Sequence, residues 1–149
     1  MREILFRGKR LDNAEWVCSG NLIHFHEENA HYIPVANSKC ICSHDENDNI
    51  IEFNEVMFCK VDPETVGQYT GLTDKNGTKI FEGDIVSTDI ARPYCIVEYR
   101  DGCFMFNCND GGEDYYDIML PILKEPQTQY PYGEVIGNIH DNPERLKGE

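Results

Sequence analysis

The stretch from Gly71 to Val86, GLTDKNGTKIFEGDIV, constrains the fold more than any other part of the chain. Asn76-Gly77 is the dipeptide best suited to a two-residue hairpin turn. Both central residues of a type I′ turn need positive φ, which Asn and Gly adopt at least cost. Glu82-Gly83-Asp84 then breaks the chain again, and Asp84-Ile85-Val86 opens a new strand. This segment therefore specifies antiparallel β structure and carries no reaction chemistry.

The rest of the chain repeats the same grammar, with β signals about every ten residues and little helical periodicity. Strands are expected at Ile4–Arg7, Glu15–Cys18, Asn21–His26, His31–Val35, Ile50–Phe53 and Val56–Val61, with Ser43–Asn49 as a polar, mobile loop. Asp62-Pro63-Glu64-Thr65 reads as a capped single turn: Asp62 is a good N-cap and Pro63 is preorganised for the first helical position. In the second half, strands are expected at Asp84–Thr88, Tyr94–Arg100, Cys103–Asn107, Tyr115–Leu120 and Glu134–His140. Asp101-Gly102 gives a second strong hairpin signal. Asn109–Asp114 reads as a flexible turn, and Asn142-Pro143 as a capped terminal turn with Asn142 as the cap. Five short strands with a wide loop after the first suit a small SH3-like barrel. The fold class is thus mainly β with little helix: an N-terminal β-rich subdomain over residues 1–65 and a C-terminal SH3-like barrel over 66–149.

Charge narrows the function. With 27 acidic residues against 13 basic ones, the net charge is −14. Such a field repels nucleic-acid phosphates, whose neutralisation needs Lys and Arg, and repels anionic membranes. Direct nucleic-acid binding is not expected. An acidic surface can instead meet a basic protein or mimic DNA, and its plainest consequence is solubility. No apolar run near the start resembles a signal peptide, and none approaches the ~20 residues of a membrane-spanning helix. A cytoplasmic chain without membrane contact is expected. The seven cysteines, Cys18, Cys40, Cys42, Cys59, Cys95, Cys103 and Cys108, then read as reduced thiols that act mostly as small hydrophobes.

Three patterns hold candidate chemistry. His24-x-His26 and His31 lie near Cys40-x-Cys42-x-His44, and residues two apart on a strand project to one face, so His24 and His26 could bind one ion together in a zinc-type site. The set lacks the C-x₂-C knuckle that marks a zinc module, and an exposed strand face accounts for the histidines equally well. A metal-dependent hydrolase would draw on His24, His26, Cys40, Cys42 and His44. A Cys–His nucleophile pair needs a lowered thiol pKa, which acidic surroundings oppose. The carboxylates Glu82 and Asp84, and Asp110, Glu113, Asp114 and Asp117, have no accompanying base or cofactor motif. Asp84 reads better as a short acceptor for turn amides. Among the aromatics, Tyr130 and Tyr132 in the loop EPQTQYPY are the candidates for an exposed peptide- or protein-binding surface. No catalytic residues and no cofactor are expected.

The central run Asp62–Leu72, then Asp74-Lys75-Asn76-Gly77 and Ile80–Val86, resembles the YopX-like family of phage and prophage proteins. Val135–Pro143 is similar to that family's closing motif, and Ile4–Lys9 with Trp16-Val17 and Gly20 also fits. The chain departs from the pattern at Arg145-Leu146, a position without bearing on any functional expectation. The resemblance implies a mostly β protein with a C-terminal SH3-like barrel, encoded by a phage or prophage. It implies no activity and supplies no catalytic residues. The function expected is therefore a non-enzymatic accessory protein that binds a host or phage protein, with self-association through exposed strand edges a further outcome the fold permits.

Overall fold

A computed structural model describes residues 3–44, 50–87, 94–110, 113–118 and 133–146. They are mainly β, and the only helical segments among them are two short 3-10 turns, η1 (Pro63–Thr65) and η2 (Pro143–Leu146). The chain divides into two compact units. One is Leu5–Val66, and the other joins Met1–Ile4 to Gly67–Glu149.

The first unit holds β1 (Phe6–Lys9), β2 (Trp16–Ser19), β3 (Ile23–Phe25), β4 (Ala30–His44) and β5 (Ile50–Val61). Strands β1 and β2 form an antiparallel pair in which Lys9 opposes Trp16. Strands β3, β4 and β5 form a three-stranded antiparallel sheet in that order. One face of this sheet is core: Ile33, Cys59 and Val61 are buried, and Gly8 of β1 lies against Val61 and Ile33. The turn η1 closes the unit as its sequence predicts. Asp62 accepts the Glu64 amide at 3.0 Å and Pro63 stands in the first turn. Thr65 ties η1 to β1, its hydroxyl oxygen accepting the Lys9 amide at 2.8 Å.

Strands β4 and β5 are far longer than the fragments expected from the sequence, with 15 and 12 residues. Their pairing runs from His31 opposite Val61 to His44 opposite Ile50, with a register shift between Ala36 and Cys40. Fifteen extended residues reach about 50 Å. Strand β4 passes through Ser43 and His44, where a loop is expected; residues 45–49 of that expected loop lie outside the described residues. Asn37, Ser38 and Lys39, weak strand formers, fall within that register shift, and the ladder resumes at Cys40 opposite Asn54.

The second unit holds β6 (Gly67–Thr73), β7 (Lys79–Phe81), β8 (Asp84–Ser87), β9 (Cys95–Arg100), β10 (Cys103–Asp110), β11 (Glu113–Ile118) and β12 (Glu134–Asn138). Strands β6 and β7 pair with each other. The other five form one antiparallel sheet in the order β11-β10-β9-β8-β12. The last strand thus returns beside the first of the five. The outer strands β11 and β12 share no pairing among the described residues, so the expected SH3-like barrel is not closed there. The core gathers Ile80, Val86, Cys95, Val97, Phe106 and Cys108, with Leu72, Phe104 and Val135 packed against it.

Four local expectations are corrected. The turn at Asn76-Gly77 is not type I′: among the described residues only Gly77 of that pair has positive φ, at 82°. The Gly77 amide bonds the Asp74 carbonyl at 3.0 Å, and the Asp74 amide bonds the Thr78 carbonyl at 2.9 Å. This is the longer hairpin loop with a glycine at the left-handed position. Asp101-Gly102 does adopt positive φ at both residues, 51° and 85°. Strands β10 and β11 continue through much of the expected flexible turn, Asn109 opposing Asp114 and Asp110 opposing Glu113. Asn142 caps η2 through its carbonyl, which accepts the Arg145 amide at 3.0 Å, and its side-chain amide donates to Glu144 at 3.4 Å, but its side-chain oxygen does not serve the amides of that turn. Its amide oxygen accepts the Asn138 amide at 3.2 Å instead.

The fourth correction concerns the cysteines. Cys95 and Cys108 form a disulfide across β9 and β10, where they are direct cross-strand partners with Cα atoms 4.3 Å apart. That spacing belongs to the non-hydrogen-bonded position of an antiparallel ladder, which suits a cross-strand bridge. Cys59 is a buried thiol and Cys103 an exposed one, neither in a disulfide, and Cys18 is exposed.

Candidate functional site

The residues of the shared motifs serve architecture. Asp74 is buried, 7% exposed. One carboxylate oxygen accepts the amides of Asn76 and Thr78 at 2.8 Å each, and the other accepts the Val135 amide at 3.1 Å. Burial alone would raise its pKa, but the amides of Val135, Thr78 and Asn76 outweigh it and hold the carboxyl below the ordinary range. Around this clamp, Lys75 pairs with Glu134 at 2.6 Å and the Lys75 amide bonds the Gly133 carbonyl at 3.2 Å. Asp84 is also buried, its carboxylate accepting the Phe81 amide at 2.8 Å across the Glu82-Gly83 turn. It is the turn-tying acceptor that the sequence suggests. Asp74, whose two oxygens are held by three backbone amides, is placed to fasten the turn rather than to accept a proton.

Of the five metal-candidate residues, the hairpin β3–β4 brings two together. His24 and His26 stand with ring centroids 4.6 Å apart. Cys40, Cys42 and His44 lie on β4 opposite Asn54, Glu52 and Ile50, whereas His24 opposes His31. Nine residues of strand separate His31 from Cys40, about 30 Å, so the five cannot surround one ion. His31, which the sequence places near the same candidate set, lies directly across from His24 by register, with ring centroids 4.5 Å apart. Loss of solvent around the His24 ring, then repulsion from His31 and His26, lowers its pKa. The Nδ1 of His31 is buried without a hydrogen-bond partner. The aromatic candidates Tyr130 and Tyr132 lie outside the described residues, as do the side chains of Asp110, Glu113, Asp114 and Asp117.

A second feature of the same sheet was not foreseen. Cross-strand partners share a face. Ile23 opposes Tyr32, and Phe25 opposes Ala30. Tyr32 opposes Lys60, Pro34 opposes Phe58, and Ala36 opposes Val56. The face opposite the buried Ile33 and Val61 therefore carries Phe25, Tyr32, Pro34, Val56 and Phe58. Phe25, Val56 and Phe58 are 48%, 51% and 55% exposed. Phe25 packs edge-on against Tyr32 at 5.3 Å, whose hydroxyl donates to Glu28 at 3.0 Å. Lys60 lies 5.9 Å from the Tyr32 ring centre. A stripe of this kind crosses all three strands, and contiguous exposed apolar surface of such extent commonly marks an interaction site.

The geometry defines a mainly β protein of two small units, with amide-bound carboxylates at its turns and one open aromatic sheet face. The chain belongs to the YopX protein family, whose model matches residues 5–147. It is also similar in structure to protein EF1440 from Enterococcus faecalis, at 26% identity and a TM-score of 0.50, over 97% of this chain and 98% of that one. No curated protein matches the sequence. No helix among the described residues is long and apolar enough to cross a membrane.

Proposed function

We propose that the chain is a non-enzymatic accessory protein of a phage or prophage, and that it works by holding a basic protein against the outer face of the β3-β4-β5 sheet. The observation that carries this reading is the alignment of Phe25, Val56 and Phe58, all about half exposed, on the face turned away from the core. An interface draws most of its affinity from a few apolar and aromatic anchors, and this stripe supplies them. The net charge of −14 supplies the second element. Long-range attraction steers a basic partner toward an acidic chain and sets approach rate and selectivity more than final affinity.

The test compares the chain and its Phe25→Ser/Phe58→Ser variant as baits in a bacterial host extract, with retained proteins identified. Both positions are exposed, so the variant is expected to fold. The expected result is a basic protein retained by the natural chain, lost from the variant and released by high salt. Equal retention by both baits, or nothing above background together with turnover of a metabolite, defeats the proposal.

A further inference from the structure

We propose that His24, His26 and His31 bind one divalent transition-metal ion of the zinc, nickel or copper class, on the hairpin β3–β4. This site is separate from the aromatic face, because His24 and His31 point to the opposite side of the sheet from Phe25 and Tyr32. The spacing of the rings fits the chemistry. An ion about 2.0–2.1 Å from each imidazole nitrogen lies roughly 3.2 Å from each ring centre, so two rings on one ion stand about 4.5–5.3 Å apart. The observed separations from His24 are 4.5 Å to His31 and 4.6 Å to His26. Among the described residues no three such side chains already stand in ligand geometry. Closing the set takes ring rotations within the cluster, which the exposed positions of His24 and His26 leave room for.

Two further observations point to a cation. A buried polar atom without a partner is uncommon and costly, and the Nδ1 of His31 is one. It is also a nitrogen that a metal ion would satisfy. The neutral imidazole ring is the form that ligates. Glu27 follows His26 in the connecting turn and adds negative charge to that turn, while the Glu28 carboxylate is engaged by the Tyr32 hydroxyl. Imidazole ligands favour zinc, copper and nickel over calcium and magnesium.

The experiment uses the full chain, free of any affinity tag and stripped with a chelator. Zinc chloride, and separately nickel chloride, are titrated by calorimetry, and the imidazole signals are followed by NMR. The expected result is one equivalent bound, with the ring signals of His24, His26 and His31 all shifted. His26→Gln lies in an exposed turn and His24→Gln at an exposed strand position; each should retain the native circular dichroism spectrum and bind about tenfold more weakly or less. A Cys40→Ser/Cys42→Ser/His44→Gln variant should bind as the natural chain does. Absence of heat and of shifts with both metals overturns the proposal. So does unchanged affinity in the two histidine variants, or loss of binding in the Cys40/Cys42/His44 variant.

Discussion

Replacement of Asp74 tests whether the shared motif is a fastening. Its carboxylate receives three backbone amides, those of Asn76, Thr78 and Val135. A hydrogen bond to a charged group contributes about 1.5–3 kcal/mol. The sum overstates the loss, because the exposed turn amides of Asn76 and Thr78 regain water in a variant. Removing the carboxylate should therefore cost about 3 kcal/mol, most of it at Val135. For a chain of this size that is a fall in Tm of about 10 °C. Asp74→Asn should be nearly as damaging as Asp74→Ala. Its side-chain oxygen can serve one group of amides, but its NH₂ then confronts the other group, donor against donor. The acid limb carries the sign. The folded pKa lies below the ordinary value, so the stabilisation is complete above the unfolded value of about 3.9 and disappears as pH falls through the folded one. Urea unfolding of the natural chain and of Asp74→Asn should differ by about 3 kcal/mol at pH 7, and the gap should narrow progressively as pH falls below the unfolded value of about 3.9. Equal stability at pH 7, or a gap that persists undiminished into acid, would refute the clamp.

Other substitutions probe separate features. A Cβ at Gly67 would stand 2.7 Å from the Glu82 carbonyl oxygen, a backbone atom that cannot swing away, so Gly67→Ala should lower stability by about 2 kcal/mol in a urea melt. Alkylation of the unfolded, unreduced chain followed by mass spectrometry should leave Cys95 and Cys108 unmodified while labelling Cys59. The Cys95→Ala/Cys108→Ala variant should lose about 2–4 kcal/mol, since the bridge closes a short loop of the unfolded chain. Thr65→Val removes the acceptor for the Lys9 amide and should cost about 1 kcal/mol, with unfolding followed by circular dichroism.

What the sequence revealed and what it concealed divide along the range of the interactions. Asp101-Gly102 and Asp62-Pro63 act through their own dihedrals and their nearest amides, and both fold as read. Asn76-Gly77 carries the same kind of signal, yet Asp74 binds the turn amides from outside the dipeptide and selects a longer loop. Strands β4 and β5 read as fragments because Asn37, Ser38, Lys39 and Asn54 are poor strand formers alone; Asn54 is held by Cys40 across the ladder, and residues 37–39 are carried in the register shift between two paired stretches. The bridge between Cys95 and Cys108 is invisible without the register of β9 on β10, since a count of seven cysteines names no pair. The same holds for His31, which register alone sets beside His24, and for the aromatic stripe, whose members come from three strands. Pairing in space created both candidate sites, and spacing in sequence pointed to only part of one.

The bond from Val135 to Asp74 spans 61 positions, and β12 lies beside β8 from a comparable distance along the chain. During synthesis the turn at Asp74 emerges well before its last donor exists. Until then the carboxylate holds two amides and waits for a third, and the inner sheet lacks its final strand. Completion of this half is thus deferred until β12 has been made. A ribosome stalled before Gly133 would carry a chain with its first unit free to fold and its second still open to proteases.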